Sequence, residues 1–311
     1  MSDDRWRWNF DDEGRPTSRP PAENVPGGPP KMSRRRRRRL GPTIAAVAVL
    51  VVLLAVALHR TSGPSARTRA IDRGVGVLDR RPAESDAKAV ASVLAYTPFV
   101  RTGAERGHDV ALTFDDGPGP YTPQILDVLR RAHVHATFFE IGELMRYFGA
   151  STEREAREGD VIGDHTETHP FMAELSAREQ YNELFEARAR IEALGGGRPV
   201  LFRPPYGSYN HTTLKELRRL HMLMVLWTVD TNDYQLPGVR TIVSRVLAGA
   251  KPGAIILLHD GGGDRAETVA ALPAIIRGLR KRGLHPVTIP RLLREDPPPH
   301  GEALPPNLSG D

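Results

Sequence analysis

The sequence predicts an α/β fold of about seven parallel strands, which we interpret as a (β/α) barrel preceded by an apolar helix. From about residue 96 onward, short apolar runs alternate with amphipathic helical patterns. This alternation favours parallel pairing, because each crossover between parallel neighbours needs a helix. About seven strands in about 200 residues fit a barrel better than an open sheet, which stays an alternative at this point.

Three segments precede this domain. Residues 1–39 hold eleven Lys/Arg and six Asp/Glu with few apolar side chains, so we expect them to be disordered. Residues 40–58 carry no charge, and as a helix they would span about 28 Å, close to one hydrocarbon thickness. The arginine run at 34–39 predicts a cytoplasmic N-terminus with the domain outside. We interpret residues 59–95 as a stalk, with a turn or two of helix at 87–94.

A cleavable export signal is the alternative for the apolar segment. Ala55-Val56-Ala57 has the small-x-small pattern, so the domain would be secreted after cleavage near Ala57, and paired arginines are also read by twin-arginine exporters. We favour an uncleaved anchor, because a 39-residue preface is long for a signal peptide and the apolar stretch exceeds a usual h-region. Both interpretations place the domain outside the cytoplasm.

Composition excludes several classes of protein. The formal net charge of +5 lies entirely in residues 1–39, so the other 272 residues sum to zero. A nucleic-acid-binding domain would carry its positive charge on the folded part, so we expect no nucleic-acid partner. The chain has no cysteine, which excludes disulfides, thiolate zinc sites and a cysteine nucleophile.

The elements of the domain follow from local pattern. Thr122 is predicted to cap a helix that has Pro123 at its first position, and Gly195-Gly196-Gly197 would end a longer helix. The apolar runs predict strands at residues 110–114, 137–141, 161–162, 200–202, 223–229, 254–258 and 286–289. The amphipathic patterns predict further helices at residues 176–194, 212–220, 239–250 and 268–282. The proline-rich residues 295–311 are predicted to be a loose tail after a domain at 96–294.

Polar clusters follow five of these strands directly. The clusters are Asp115-Asp116-Gly117, Asp164-His165-Thr166-Glu167-Thr168-His169, Arg203-Pro204-Pro205-Tyr206-Gly207, Asp230-Thr231-Asn232-Asp233-Tyr234 and His259-Asp260. Ligands of parallel α/β folds bind at the carboxyl ends of the strands, so these clusters are predicted to meet at one mouth. Taken singly, each also fits an ordinary turn, cap or exposed loop, and their joint occurrence favours a site.

Two of the clusters suit a divalent metal. Two imidazoles and one carboxylate are a good ligand set that keeps a coordination position open. His165 and His169 lie four residues apart, and Asp115 and Asp116 are adjacent. The carboxylate that does not bind metal could then take a proton from water. This pattern predicts a metal-dependent hydrolase.

The five clusters together resemble the motifs of the polysaccharide deacetylase family, the NodB-like carbohydrate esterases, over residues 108–294. The matching stretches are Thr113-Phe114-Asp115-Asp116-Gly117, His165-Thr166-Glu167-Thr168-His169, Arg203-Pro204-Pro205-Tyr206, Asp230-Thr231-Asn232-Asp233-Tyr234 and Leu257-Leu258-His259-Asp260. The resemblance implies a distorted, usually seven-stranded (β/α) barrel with a divalent metal, often zinc, with cobalt, manganese or nickel as alternatives. One position departs from the family pattern, because Tyr234 stands where the family usually has Trp.

The resemblance also implies a role for each residue. Asp116, His165 and His169 would hold the metal, and Asp115 would be the general base, oriented by Arg203. The metal and the backbone N–H of Tyr206 would stabilise the oxyanion. His259 would be the general acid, with Asp233 raising its pKa and fixing its tautomer. Leu257 and Tyr234 would line the slot for the acetyl methyl group.

We therefore expect a membrane-anchored bacterial deacetylase acting on cell-wall amino sugars, with peptidoglycan N-acetylglucosamine as first choice. Chito-oligosaccharides and acetylxylan are alternatives with the same chemistry. A metalloamidase for small amides is disfavoured because such enzymes tend to be cytoplasmic. A non-catalytic wall-binding relative is disfavoured because Asp115, Arg203 and His259 are all present. The expected partners are the wall polysaccharide and, through residues 40–58, the membrane.

Overall fold

One parallel sheet, flanked by helices, organises the part of the chain that the computed structural model describes, residues 81–306. The strands are β1 (Phe99–Val100), β2 (Asp109–Gly117), β3 (Thr137–Glu140), β4 (Val161–Asp164), β5 (Leu201–Phe202), β6 (Leu223–Val225), β7 (Val229–Asp230), β8 (Ile255–His259) and β9 (His285–Val287). The helices are α1 (Arg81–Leu94), α2 (Thr122–Ala132), α3 (Met145–Glu158), α4 (Ala177–Ala193), α5 (His211–Leu220), α6 (Val239–Gly249), α7 (Ala266–Lys281) and α8 (Ile289–Glu295).

The sheet curls towards closure as a barrel. Its strand order is β1-β6-β5-β4-β3-β2-β8-β7, with β9 pairing the start of β2. Strands β6 and β7 lie towards opposite edges of the sheet, yet only three residues connect them. The backbone of these residues forms hydrogen bonds to strands at both edges. The N–H of Leu226 donates to Val100 at 2.8 Å, and that of Thr228 donates to Ile255 at 3.1 Å. The predicted (β/α) barrel is confirmed, as a curled sheet of parallel strands with helices on its outer face.

Three differences from the predicted elements have local causes. The run at 223–229 forms two strands, because residues 226–228 cross between the sheet edges. Strand β1 was not predicted, because its two residues are too few to show an alternation of apolar and polar side chains. Helix α3 was not predicted, since its buried face is largely polar and includes Ser151, Thr152 and Glu155. The described residues therefore form nine strands where about seven were expected.

Strand alternation separates two cores and directs polar side chains into the barrel. Leu112 and Phe114 of β2 face outward, where they pack with the apolar faces of α2, α6 and α7. Ala111 faces inward with Val287, Leu292 and the α1 side chain Val90. Helices α1 and α8 thus close the barrel at the N-terminal ends of its strands, which leaves the C-terminal ends as the mouth.

The segments that flank the barrel in the chain are helix α1 and the residues after α8. Helix α1 is longer than the one or two turns expected, and residues after α8 contact the domain. The Tyr96 hydroxyl donates to the Pro298 carbonyl at 2.9 Å, and Arg101 pairs with Glu302 at 2.5 Å. The predicted tail at 1–39, the apolar segment at 40–58 and residues 59–80 lie outside the described residues. Within the described range, no helix has the length and apolar character to cross a membrane.

Candidate metal centre and catalytic pair

Both carboxylates at the end of β2 reach the barrel mouth because the strand contains a bulge. The pairing of β2 with β3 shifts register between Asp115 and Gly117, so Asp116 is the inserted residue. It has a φ of 68°, an unusual conformation for a residue other than glycine. A regular strand would turn adjacent side chains to opposite faces, whereas the bulge directs both carboxylates to the site.

Asp116, His165 and His169 form a group that could hold a metal ion. The Nε2 atoms of His165 and His169 lie 3.4 and 3.1 Å from Oδ1 of Asp116. One ligand atom from each residue lies within 4.8 Å of the other two, and no other such group occurs among residues 81–306. The three residues predicted to bind metal are therefore brought together. The distances are those of side chains able to converge on one ion.

Hydrogen bonds on the far nitrogens orient both imidazoles. The Nδ1–H of His165 donates to the carbonyl oxygen of Arg203 at 2.7 Å, and Nδ1 of His169 lies 3.1 Å from the Tyr206 hydroxyl. Each Nε2 is left to face Asp116, the arrangement that histidine ligands adopt around a metal. The histidines lie in a loop after β4, and Thr166 and His169 have φ values of 71° and 61°.

Charge and burial suit the same group to a cation. Burial opposes ionisation of Asp116, but His169 and His165 hold the pKa of its carboxyl well below the usual value. Burial lowers the pKa of His169 against the pull of Asp116, which favours the neutral, ligating imidazole. Oδ2 of Asp116 is buried without a hydrogen-bond partner among the described residues. A buried carboxylate with one oxygen facing two imidazoles and the other without a partner fits a divalent metal.

Arg203 holds the other carboxylate, Asp115. Its Nη1 donates to Oδ1 of Asp115 at 2.7 Å and to the Thr113 hydroxyl at 2.8 Å. The guanidinium is fully buried, lies 4.2 Å above the Phe139 ring and also donates to the Val225 carbonyl. Asp115 is therefore fixed by the barrel interior, while Asp116 is left to the histidines.

The predicted acid, His259, lies next to Asp115 in the sheet. The register of β2 and β8 pairs Asp115 with His259 and Thr113 with Leu257. The Nδ1–H of His259 donates to Oδ1 of Asp233 at 2.6 Å, and its backbone N–H donates to Oδ2 at 2.9 Å. Burial lowers the pKa of His259, but Asp233 outweighs it, with Asp116 adding to the effect, and the pKa rises to about 9.

The predicted substrate contacts line this mouth. Tyr206 has a φ of 59°, and its ring stacks on Phe171 with centroids 4.0 Å apart. Tyr234 is 36% exposed and lies edge-on to His259, with centroids 5.3 Å apart. Leu257 is almost fully buried on the inner face of β8. An aromatic pair thus stands on the side of His169, and Tyr234 stands beside His259.

Two carboxylates of the polar clusters take other positions. Asp230 is exposed and accepts the backbone N–H of Asn232. Asp260 is buried and accepts a hydrogen bond from the Thr122 hydroxyl. The capping role predicted for Thr122 is wrong, since α2 begins after Tyr121 without a side-chain cap. The contact between Thr122 and Asp260 joins residues 138 apart and leaves no signal in the local sequence.

Three supporting residues were missed by sequence reasoning. The Thr268 hydroxyl donates to Oδ2 of Asp233 at 2.7 Å, from the buried face of α7. Arg190 on α4 binds both oxygens of Glu167, within 2.9 Å, and so ties down the histidine loop. Arg265 binds the carbonyls of Gly261 and Gly262. Only the position of Glu167 between the two histidines hinted at such support.

The fold and the site define a class of protein, an α/β barrel with a candidate Asp-His-His metal centre and an Asp–His pair at its mouth. Comparison with known proteins agrees. The family model for polysaccharide deacetylase matches residues 102–225. A peptidoglycan-N-acetylglucosamine deacetylase of Bacillus cereus is 42% identical over 188 residues, 60% of this chain and 88% of that protein.

Two further relatives extend the comparison. A chitooligosaccharide deacetylase of Bradyrhizobium is 39% identical over 196 residues, covering 59% of this chain and 90% of that protein. The crystal structure of the Bc1960 peptidoglycan N-acetylglucosamine deacetylase matches with a TM-score of 0.62 and 36% identity, over 67% of this chain and 98% of the other. The chain belongs to the polysaccharide deacetylase family.

Proposed function

We propose that this protein is a metal-dependent hydrolase that removes the acetyl group from N-acetylglucosamine in peptidoglycan. One observation carries the proposal. Asp115 lies beside the group formed by Asp116, His165 and His169, but Arg203 binds it at 2.7 Å and keeps it out of that group. The register of β2 and β8 places His259 next to the same carboxylate. A base and an acid thus flank one ligand set.

The chain's own residues account for the proton transfers. Asp115 accepts a proton from the attacking water, and the Arg203 guanidinium fixes the direction of that carboxylate. His259 gives its Nε2 proton to the departing amine, since its Nδ1–H is held by Asp233. With a pKa of about 9, this histidine starts the reaction protonated at neutral pH. The backbone N–H of Tyr206 is proposed to donate to the oxyanion.

A divalent cation held by Asp116, His165 and His169 would supply Lewis acidity at this mouth, and zinc suits two imidazoles and a carboxylate. Tyr234 and Leu257 are proposed to line the space for the acetyl methyl group. The tyrosine hydroxyl donates to Oδ1 of Asn232 at 3.0 Å, so this wall is more polar than an indole would make it.

The choice of peptidoglycan rests on the relatives and on the N-terminal sequence. The Bacillus cereus relative is named for peptidoglycan N-acetylglucosamine. We propose that residues 40–58 anchor the chain with its domain outside the cell, which puts the cell's own wall within reach of the site. Chito-oligosaccharides are the second candidate, because the Bradyrhizobium relative, of similar identity, is named for them.

Acetate release tests the proposal. We expect the protein to release acetate from N-acetylated peptidoglycan faster than from chito-oligosaccharides or acetylxylan, with loss of release in a chelator and recovery on adding zinc. Asp115→Asn is the matched control, since it keeps the Asp116–His165–His169 group. Release that a chelator leaves unchanged contradicts metal dependence. Faster release from chito-oligosaccharides contradicts the substrate, and no release from any glycan indicates a non-catalytic relative.

A further inference from the structure

The end of the barrel opposite the mouth carries a cluster of positive charge. We define this basic end by five exposed cations at the C-terminal turns of α2 and α7, namely Arg131, Arg277, Arg280, Lys281 and Arg282. Arg280 donates to the Ala132 carbonyl at 2.7 Å, which joins the two helix ends. Arg282 donates to the Leu247 carbonyl at the end of α6.

Helix dipoles do not explain the whole cluster. Cations near helix C-termini are favourable, and one or two per helix need no other explanation. Several cations elsewhere in the described domain are paired, as Arg154 is with Asp127 and Glu158 and Arg188 is with Glu192. Within residues 81–306, no carboxylate lies at salt-bridge distance from any cation of the basic end. The cluster is therefore a surface of uncompensated charge.

The opposite end of the barrel exposes acidic groups. Asp230, Asp264 and Glu174 are exposed in the loops after the strands. Strand β2 runs from one end to the other, and its nine residues separate them by about 30 Å. A domain with cations at one end and carboxylates at the other takes a preferred orientation over a charged surface.

We propose that the basic end docks on the anionic phospholipid surface of the membrane, which turns the catalytic mouth outward towards the wall. The entry point of the chain supports this partner. Helix α1, which closes the same end of the barrel, follows the uncharged segment at 40–58 by about twenty residues. The Arg294 guanidinium on α8 pairs with Asp86 of α1 at 3.2 Å, so α1 is fixed to this end. The inference rests on the proposed anchor and not on the proposed chemistry.

The experiment uses the absence of cysteine from the chain. The full chain is reconstituted into vesicles of phosphatidylcholine with or without phosphatidylglycerol. A fluorophore is attached after Ala248→Cys, beside the basic end, or after Ala177→Cys, at the N-terminus of α4 near the mouth. Energy transfer to an acceptor lipid reports which end lies nearer the bilayer. We expect stronger transfer from the Ala248→Cys label in anionic vesicles, and loss of this preference in neutral vesicles or high salt.

A charge-removal variant tests the surface directly. Each basic side chain near an anionic bilayer contributes about fivefold to association, so Arg131→Gln, Arg277→Gln and Lys281→Gln together should lower the ratio of docked to undocked domain about 100-fold. These three side chains make no hydrogen bond or ion pair within the described structure, so the fold should be unaffected. Arg178→Gln, Lys215→Gln and Arg240→Gln remove the same charge elsewhere and should leave docking unchanged.

The remaining outcomes are equally decisive. The same preference in neutral and anionic vesicles would mean that the tether alone orients the domain, and would overturn the inference. Tighter binding of the basic end to soluble poly(glycerol phosphate) than to anionic vesicles would assign it to a wall polymer instead. If the chain does not enter neutral vesicles, salt-sensitive flotation with anionic vesicles that the three Gln substitutions weaken still supports docking, and flotation that they leave unchanged refutes it. Acetate release from a soluble substrate should be equal in all variants, which separates this inference from the proposed chemistry.

Discussion

The proposed acid, His259, depends on a single buried carboxylate, and Asp233→Asn tests that dependence. The substitution keeps an oxygen to accept the Nδ1–H, but removes the negative charge 2.6 Å away. Burial alone lowers the pKa of His259, so without that charge the pKa should fall from about 9 to the ordinary 6.5 or below. A fall of that size corresponds to about 3 kcal/mol of lost stabilisation of the imidazolium.

The expected consequence is a change in the pH dependence of turnover. At pH 7 the His259 imidazole of the wild type is almost fully protonated, whereas in Asp233→Asn only a minor fraction of the imidazole should be protonated. The assay is the pH profile of kcat for acetate release, whose alkaline limb should move to lower pH by about two units or more. Metal content should be unchanged, because His259 is not one of the three candidate ligands.

Thr268→Val is the matched control for this prediction. It removes the 2.7 Å hydrogen bond to the other oxygen of Asp233 and keeps the charge. We expect a shift of the alkaline limb that is much smaller than that of Asp233→Asn. An alkaline limb that stays in place in Asp233→Asn would show that another group protonates the amine, and the role given to His259 would be refuted.

Three further predictions concern the support of the site. Burial raises the pKa of Glu140 to about 7 and that of Glu155 well above its usual value, so the stability that both carboxyls contribute when protonated is lost as the pH rises above about 4.5 and through their raised pKa values. Glu155→Gln should therefore raise Tm at pH 8 and leave it unchanged at pH 4.5, and an equal effect at both would contradict this. Arg203→Met leaves a buried carboxylate without its cation, and urea unfolding should show a loss of about 3–5 kcal/mol, whereas a loss below about 1 would refute the pairing. Gly261→Ala would place a Cβ 1.7 Å from the Asp116 carbonyl, so zinc affinity measured by competition should fall, and unchanged affinity would show that the loop yields.

The sequence predicted the architecture because the barrel rests on patterns a few residues long. The alternation of Leu112 and Phe114 with inward-facing Ala111 is present in the sequence and reappears in the two cores. Helix α4 could also be predicted from the sequence, since Ser176 starts a capping box with Glu179. Helix α3 could not be predicted, because it buries Thr152 and Glu155 against the polar end of β3 and has no periodic apolar face.

The site divides in the same way. Adjacent carboxylates and paired histidines are visible as motifs, and the structure brings Asp116 together with both imidazoles. The spacing of the residues does not predict which of the two carboxylates faces the histidines, because that follows from a one-residue bulge in β2. Nor does it reveal that Asp115 and His259 are neighbours, since this depends on the register of strands far apart in the chain. Thr268 supports the site by a hydrogen bond to Asp233, which lies 35 residues earlier in the chain.

The division of labour between the two carboxylates is tested most directly by elemental analysis of two variants purified side by side. Asp115→Asn should retain one equivalent of metal per chain while releasing acetate at least about 100-fold more slowly. Asp116→Asn should lose the metal and the activity together. Equal metal loss in both variants, or full metal content in Asp116→Asn, would contradict the account.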